Sequence, residues 1–123
     1  MIDVKTVQNI HNILVDKFGG GNGVRDQAGL EAALARPYAT FDQKELYPSA
    51  PEKAAAIFES IIINHPFIDG NKRIAYVLMR LVLMDAGLDL NASDDEKYQM
   101  VLSSSKGEMR FDQIREWVSV RLK

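Results

Sequence analysis

A chain of 123 residues with 46% hydrophobic and 26% charged side chains has the length and balance of one ordinary globular domain, which excludes intrinsic disorder and gives no sign of a linker. Zero cysteines exclude a disulfide framework, a thiol nucleophile and any cysteine-based zinc or iron–sulfur centre, and two histidines, His11 and His65, cannot build an all-histidine metal cage. A formal net charge of -2 argues against a general nucleic-acid or anionic-membrane surface, since both need many clustered cations.

The first residues, Met1 to Asn9, lack a basic stretch followed by an apolar run, and the longest central apolar stretch is broken by Arg80, so the expectation is a soluble, cytoplasmic protein with no membrane partner. Val4, Val7, Ile10, Leu14 and Phe18 recur at three- and four-residue steps and predict one amphipathic helix to about Lys17, ended by Gly19, Gly20 and Gly21. Asp26 is placed to cap a short Ala/Leu helix around Gly29 to Leu34, which Arg36-Pro37 stops. From Tyr38 to Ser49 the periodicity is lost, and Thr, Phe and Tyr among polar residues predict a loop or a short extended hairpin. Ser49, with Pro51 in the first turn, opens a helix to near Asn64 with Ala55, Phe58, Ile61 and Ile62 inward. After a break at His65-Pro66-Phe67, residues Asn71 to Ala86 predict a helix that is apolar nearly all round apart from Arg80, the pattern of a buried central helix, with Gly87 at its left-handed end. Ser93-Asp94-Asp95-Glu96 reads as a capping box for a helix through about Ser103, and Phe111, Ile114, Trp117 and Val118 mark a last one. The expected fold class is all-α: residues 1–123 as a single domain of about six helices with a central buried hairpin of helices and one short flap.

The chemistry concentrates in His65-Pro66-Phe67-Ile68-Asp69-Gly70-Asn71-Lys72-Arg73, at the joint between the two most hydrophobic helices. Lys72 and Arg73 fall in a first helical turn, where the macrodipole disfavours cations by roughly 0.3 to 1 kcal/mol each. An anion resolves that conflict, because free backbone N–H groups, the positive helix end and both cations converge on one volume. Gly70 permits close backbone approach, Asp69 is a hard oxygen ligand suited to Mg²⁺, and the Asn71 amide can donate to a phosphate oxygen. An imidazole at His65 can take a proton from an attacking hydroxyl. Together these residues describe a phosphoryl- or nucleotidyl-transfer site. Singly, each has a structural explanation: a histidine cap, an Asp-Gly turn, a solvated helix start. The glycine run from Gly19 to Gly23 reads as a turn, since no Gly-Lys-Ser/Thr follows it. His11 and Trp117 read as structural.

The nine-residue stretch from His65 to Arg73 resembles the signature of the Fic/Doc superfamily, His-Pro-Phe-x-Asp/Glu-Gly-Asn-Gly/Lys-Arg. Gly23-Val-Arg-Asp26, Leu30 to Pro37 and Leu46-Tyr47-Pro48 are similar to the death-on-curing (Doc) branch, so the resemblance covers nearly the whole chain. It implies the helical Fic fold, ATP as substrate and Mg²⁺ as cofactor. In that reading His65 deprotonates a hydroxyl of a target protein, Asp69 positions Mg²⁺, and Gly70, Asn71, Lys72 and Arg73 hold phosphates. Phe67 anchors the loop, while Thr40, Phe41, Leu46 and Tyr47 belong to a flap that docks the target by strand-like pairing.

Two positions depart from the AMP-transferring members: Lys72 stands where they carry Gly, and Tyr76 where they carry a second Arg. Both resemble Doc, which implies γ-phosphate transfer to a threonine of elongation factor Tu and inhibition of translation. AMP transfer and a catalytically idle binding module remain the alternatives. The nearest match to the family's self-inhibiting helix, Ser104 to Glu108, is followed by Met109 and lies beside Gly107 in an expected loop. The resemblance therefore implies control in trans by a small, partly disordered antitoxin.

Overall fold

The structure, a computed structural model, describes residues 2–123. Six helices form in chain order: α1 (Val4–Phe18), α2 (Gln27–Ala35), α3 (Ala50–Asn64), α4 (Asn71–Asp85), α5 (Asp94–Ser105) and α6 (Phe111–Ser119). A short 3₁₀ turn, Arg36–Tyr38, and a two-stranded hairpin, β1 (Thr40–Phe41) and β2 (Lys44–Glu45), link α2 to α3. The fold class is all-α, as the sequence implies.

The starts of α1, α2, α3 and α5 follow from side-chain capping, since Asp3, Asp26, Ser49 and Ser93 each accept a hydrogen bond from the backbone N–H three residues on. Pro37 falls in the 3₁₀ turn, where its missing N–H is no loss. At the far end of α4, Gly87 adopts φ +77 and the N–H of Leu88 reaches back to Leu83, the left-handed closure that glycine there permits.

The core is the α3/α4 hairpin wrapped by the other helices. Ala54, Ala55 and Ala56 let neighbours approach α3 closely, while Ile57, Phe58 and Ile61 interdigitate with Ile74, Leu78, Met79 and Leu83 of α4. Leu30, Leu34, Ile114 and Val118 close the remaining sides from α2 and α6. α4 is less enclosed than its composition suggests: Met84 is half exposed, and Arg80 reaches solvent where it forks onto Asp89 at 2.8 and 2.9 Å. Among the described residues no helix is long and apolar enough to cross a membrane.

The Tyr38–Ser49 segment resolves into the hairpin, with Thr40 opposite Glu45 and Phe41 opposite Lys44. Asp42 and Gln43 at its tip both take positive φ (+53 and +66), as a two-residue turn matched to strand twist requires. Its base is fastened to the core. The Arg36 guanidinium donates to the Tyr47 hydroxyl (2.9 Å) and to Glu59 (2.8 Å), and Arg110 of the α6 N-terminus donates to the other Glu59 oxygen (3.0 Å). The guanidinium also lies 5.3 and 5.5 Å from the ring centroids of Tyr47 and Phe111, which touch each other with centroids 5.2 Å apart. Burial pushes the Glu59 carboxyl up, but the two guanidinium groups outweigh burial and hold it below its usual range, so it stays charged.

Candidate active site

The turn between α3 and α4 is rigid because three distant segments are bonded to it. His65 ends α3 in the left-handed conformation (φ +50, ψ +53), which a non-glycine residue adopts at a cost of roughly 1 kcal/mol. Arg25 compensates: its Nε and Nη2 donate to the His65 carbonyl at 2.8 and 2.6 Å, and Nη2 also reaches the Asn64 carbonyl at 2.8 Å. The backbone then zips against the same stretch, since Arg25 and Asp26 N–H donate to the Pro66 carbonyl and Ile68 N–H donates to Gly23. Phe67 is 1% exposed and packs into the core beneath the loop.

Asp69 is held from behind and from the side. His11, 2% exposed, stacks on Phe67 (centroids 4.0 Å apart, planes within 9°) and its Nε2 lies 2.7 Å from the Asp69 carbonyl, so that nitrogen carries the proton and donates. The Asp69 carboxylate accepts from the N–H of Gly21 at 3.2 Å and of Gly70 at 2.8 Å. These two backbone bonds lower its pKa and keep it ionised. Gly20 leaves the room for it: with φ +113, a Cβ there would lie 2.8 Å from Asp69 Oδ2. The glycine run is thus the seat of an acidic side chain rather than only a turn.

Gly70 takes φ +76 as the residue preceding α4 and supplies no capping side chain. The N–H groups of Asn71, Lys72 and Arg73 consequently have no acceptor among the described residues, which leaves the positive end of α4 open. Lys72 and Arg73 are exposed and pair with no carboxylate among the described residues, and Arg73 rests on the Phe18 ring at 4.4 Å. The Asn71 side chain is turned the other way: Oδ1 accepts from Phe67 N–H and Nδ2 donates to the Phe67 carbonyl, both at 2.9 Å, with the residue 4% exposed. The expectation that its amide reaches a phosphate gives way to a loop-closing role, and Asn71 offers an anion its backbone N–H.

His65, Asp69, Gly70, Asn71, Lys72 and Arg73 line one open cleft of about 340 Å³. An exposed imidazole, an ionised carboxylate, three unbonded N–H groups and two unpaired cations therefore share a single volume, which suits proton removal beside a bound, charged phosphate chain. Of the expected flap residues, Thr40, Phe41 and Leu46 are exposed on the hairpin, whereas Tyr47 is partly buried in the clamp with Arg36 and Phe111. Tyr47 thus seats the base of the flap. Sequence reasoning missed Arg25, Gly20, Gly21 and the positioning contact of His11. Arg25 alone carried a signal, a cation within the Gly23 to Asp26 stretch that resembles the Doc branch.

Residues 1–83 match the model of the Fic/DOC family. Toxin Doc of Mycolicibacterium smegmatis is 44% identical over 78 residues, which make up 63% of this chain and 60% of that protein. The chain thus spans about three-fifths of that relative's length.

Proposed function

The chain belongs to the Fic/DOC family, and from that premise we propose that it is the toxin of a bacterial toxin–antitoxin pair, an enzyme that moves the γ-phosphate of ATP to a hydroxyl of a protein target, with a threonine of elongation factor Tu as the first candidate. The observation that carries this reading is the convergence of His65, Asp69, the open α4 N-terminus, Lys72 and Arg73 on one cleft.

The His65 imidazole takes the proton from the target hydroxyl as its oxygen attacks the γ-phosphorus. The bond from that phosphorus to the bridging oxygen breaks, ADP leaves, and the proton passes from His65 to solvent. The N–H groups of Asn71 to Arg73 and the side chains of Lys72 and Arg73 stabilise the charge on the transferred group. Among the described residues no cluster of three or more acidic or histidine ligands exists, and Asp69 is a single ionised carboxylate. That donor set fits Mg²⁺, which takes one or two carboxylates and fills its remaining positions with phosphate oxygens and water. Asp69 would hold the ion, which would neutralise charge on the phosphates.

Lys72 and Tyr76 support γ-phosphate over AMP transfer, as in the Doc branch. Control in trans by an antitoxin is supported by the local chain: α5 ends at Ser105 and Gly107 turns at φ +78, so Ser104 and Glu108 do not share a helix as a built-in inhibitor requires. The test is label transfer from γ-labelled and α-labelled ATP to purified elongation factor Tu and to a bacterial lysate, with Mg²⁺ and His65→Ala as control. Label from the γ position only, lost in His65→Ala, is expected. Label from the α position would assign AMP transfer instead, and none from either in folded protein would point to a different target or an idle module.

A further inference from the structure

Three successive carbonyls at the end of α3, those of Asn64, His65 and Pro66, are all bonded by two adjacent residues from the start of α2. The Arg25 guanidinium donates to the Asn64 carbonyl at 2.8 Å and to the His65 carbonyl at 2.8 and 2.6 Å, and the Arg25 and Asp26 N–H groups donate to the Pro66 carbonyl at 2.7 and 3.0 Å. Asn64 is tied in turn to α2, its Nδ2 donating to the Gly29 carbonyl at 2.9 Å. The His65 N–H donates to the Ile61 carbonyl at 3.0 Å, so both backbone polar groups of His65 are engaged and its ring is left for the cleft. Arg25 pairs with no carboxylate among the described residues and stands outside the residues that line that cleft.

Resting on His65 as the base of the proposed reaction, we infer that Arg25 is a positioning residue: it fixes the direction in which His65 presents its imidazole, without touching the phosphates. The Asn64 carbonyl belongs to the peptide plane before the His65 Cα, and the His65 carbonyl to the plane after it. The angle between those planes is what φ and ψ of His65 describe, and one guanidinium bridges them. A left-handed residue with a side chain is held only where its surroundings over-determine it, and the Cα–Cβ bond of His65 points wherever the two planes send it. The task suits arginine in particular. Two nitrogens of a rigid fork reach both carbonyls, whereas a lysine ammonium on a flexible stem fixes neither plane against the other. The charge is also well placed, since the last carbonyls of α3 form the negative end of that helix.

Arg25→Ala and Arg25→Lys in the full chain test this through two measurements: label transfer from ATP to the protein the parent labels, resolved into kcat and KM for ATP, and the ¹⁵N backbone order parameter of His65. In Arg25→Ala, kcat should fall by about ten- to a hundred-fold, the scale of a misplaced catalytic group, with KM for ATP within about two-fold of the parent. The order parameter should drop from about 0.85 to below about 0.6. Arg25→Lys, which keeps the charge and loses the fork, should fall between, and the same criteria are read from it if Arg25→Ala does not fold. A lowered Tm with kcat within about two-fold of the parent overturns the assignment, by leaving Arg25 a structural role only. A raised KM at constant kcat overturns it by placing Arg25 on the ligand, and an unchanged His65 order parameter overturns it whatever the rate does. A parent that transfers no label overturns the proposed reaction, while the order parameter still decides whether Arg25 holds His65 in place.

Discussion

Asn71→Ala separates loop closure from ligand contact in the middle of the motif. The carboxamide satisfies both backbone groups of Phe67, an N–H and a C=O that are buried with it. Truncation orphans both, at about 1 to 3 kcal/mol apiece, so about 2 to 6 kcal/mol is at stake in a domain whose whole stability is of order 5 to 15. With an unfolding entropy near 2.1 cal/mol/K per residue, 123 residues give about 0.26 kcal/mol/K, so 3 kcal/mol lowers Tm by about 12 °C. Thermal unfolding followed by far-ultraviolet circular dichroism reads this directly, with Lys72→Ala as a control that removes an exposed side chain and moves Tm by no more than about 2 °C (±0.5 kcal/mol). An Asn71→Ala protein that melts within 2 °C of the parent yet loses ATP affinity would refute the reasoning, because it would assign the side chain to the ligand.

Gly20→Ala should raise the Mg²⁺ concentration for half-maximal transfer several-fold, since the new methyl displaces the Asp69 carboxylate from 2.8 Å away; an unchanged midpoint in a metal titration would show that Asp69 does not hold the ion. His11→Phe keeps the stack on Phe67 and loses the donor to Asp69, so kcat should fall about ten-fold at near-constant KM for ATP, with partial rescue in His11→Gln; equal kcat in all three proteins contradicts a positioning role. Asp89, drawn down from the usual 3.8 to about 2 first by its side-chain bonds to Arg80, contributes stability that is complete above about pH 4 and lost as pH falls toward 2. The Tm difference between parent and Asp89→Asn should therefore be widest above pH 4 and close on acidification, and a gap that widens instead would reverse the sign of that linkage.

The helices were legible because their signals are local. Asp26, Ser49 and Ser93 cap where the sequence places them, and Val4, Val7, Ile10 and Leu14 of α1 face the core as their period predicts, whereas Phe18, at the helix end, is half exposed. The hairpin was ambiguous because its turn is Asp42-Gln43, two residues forced to positive φ without the glycine that ordinarily signals it. The motif was readable as nine contiguous residues, but its supports were not. Arg25, Gly21 and His11 lie 40, 48 and 58 positions from the residues they hold, and no spacing rule reaches that far. Asn71 shows the converse limit: residue type announces hydrogen-bonding capacity, whereas only the folded turn decides that it is spent on Phe67.

The fastening of the flap joins residues on both sides of the family match. The family match stops at residue 83, yet the clamp on Tyr47 is completed by Arg110 and Phe111. Arg36, Tyr47 and Glu59 lie in the same stretch as the motif, and only the far side of the clamp comes from the last helix. Substitutions at Arg110 or Phe111 therefore reach the base of the hairpin through Glu59, Arg36 and Tyr47 while every motif residue stays as it is.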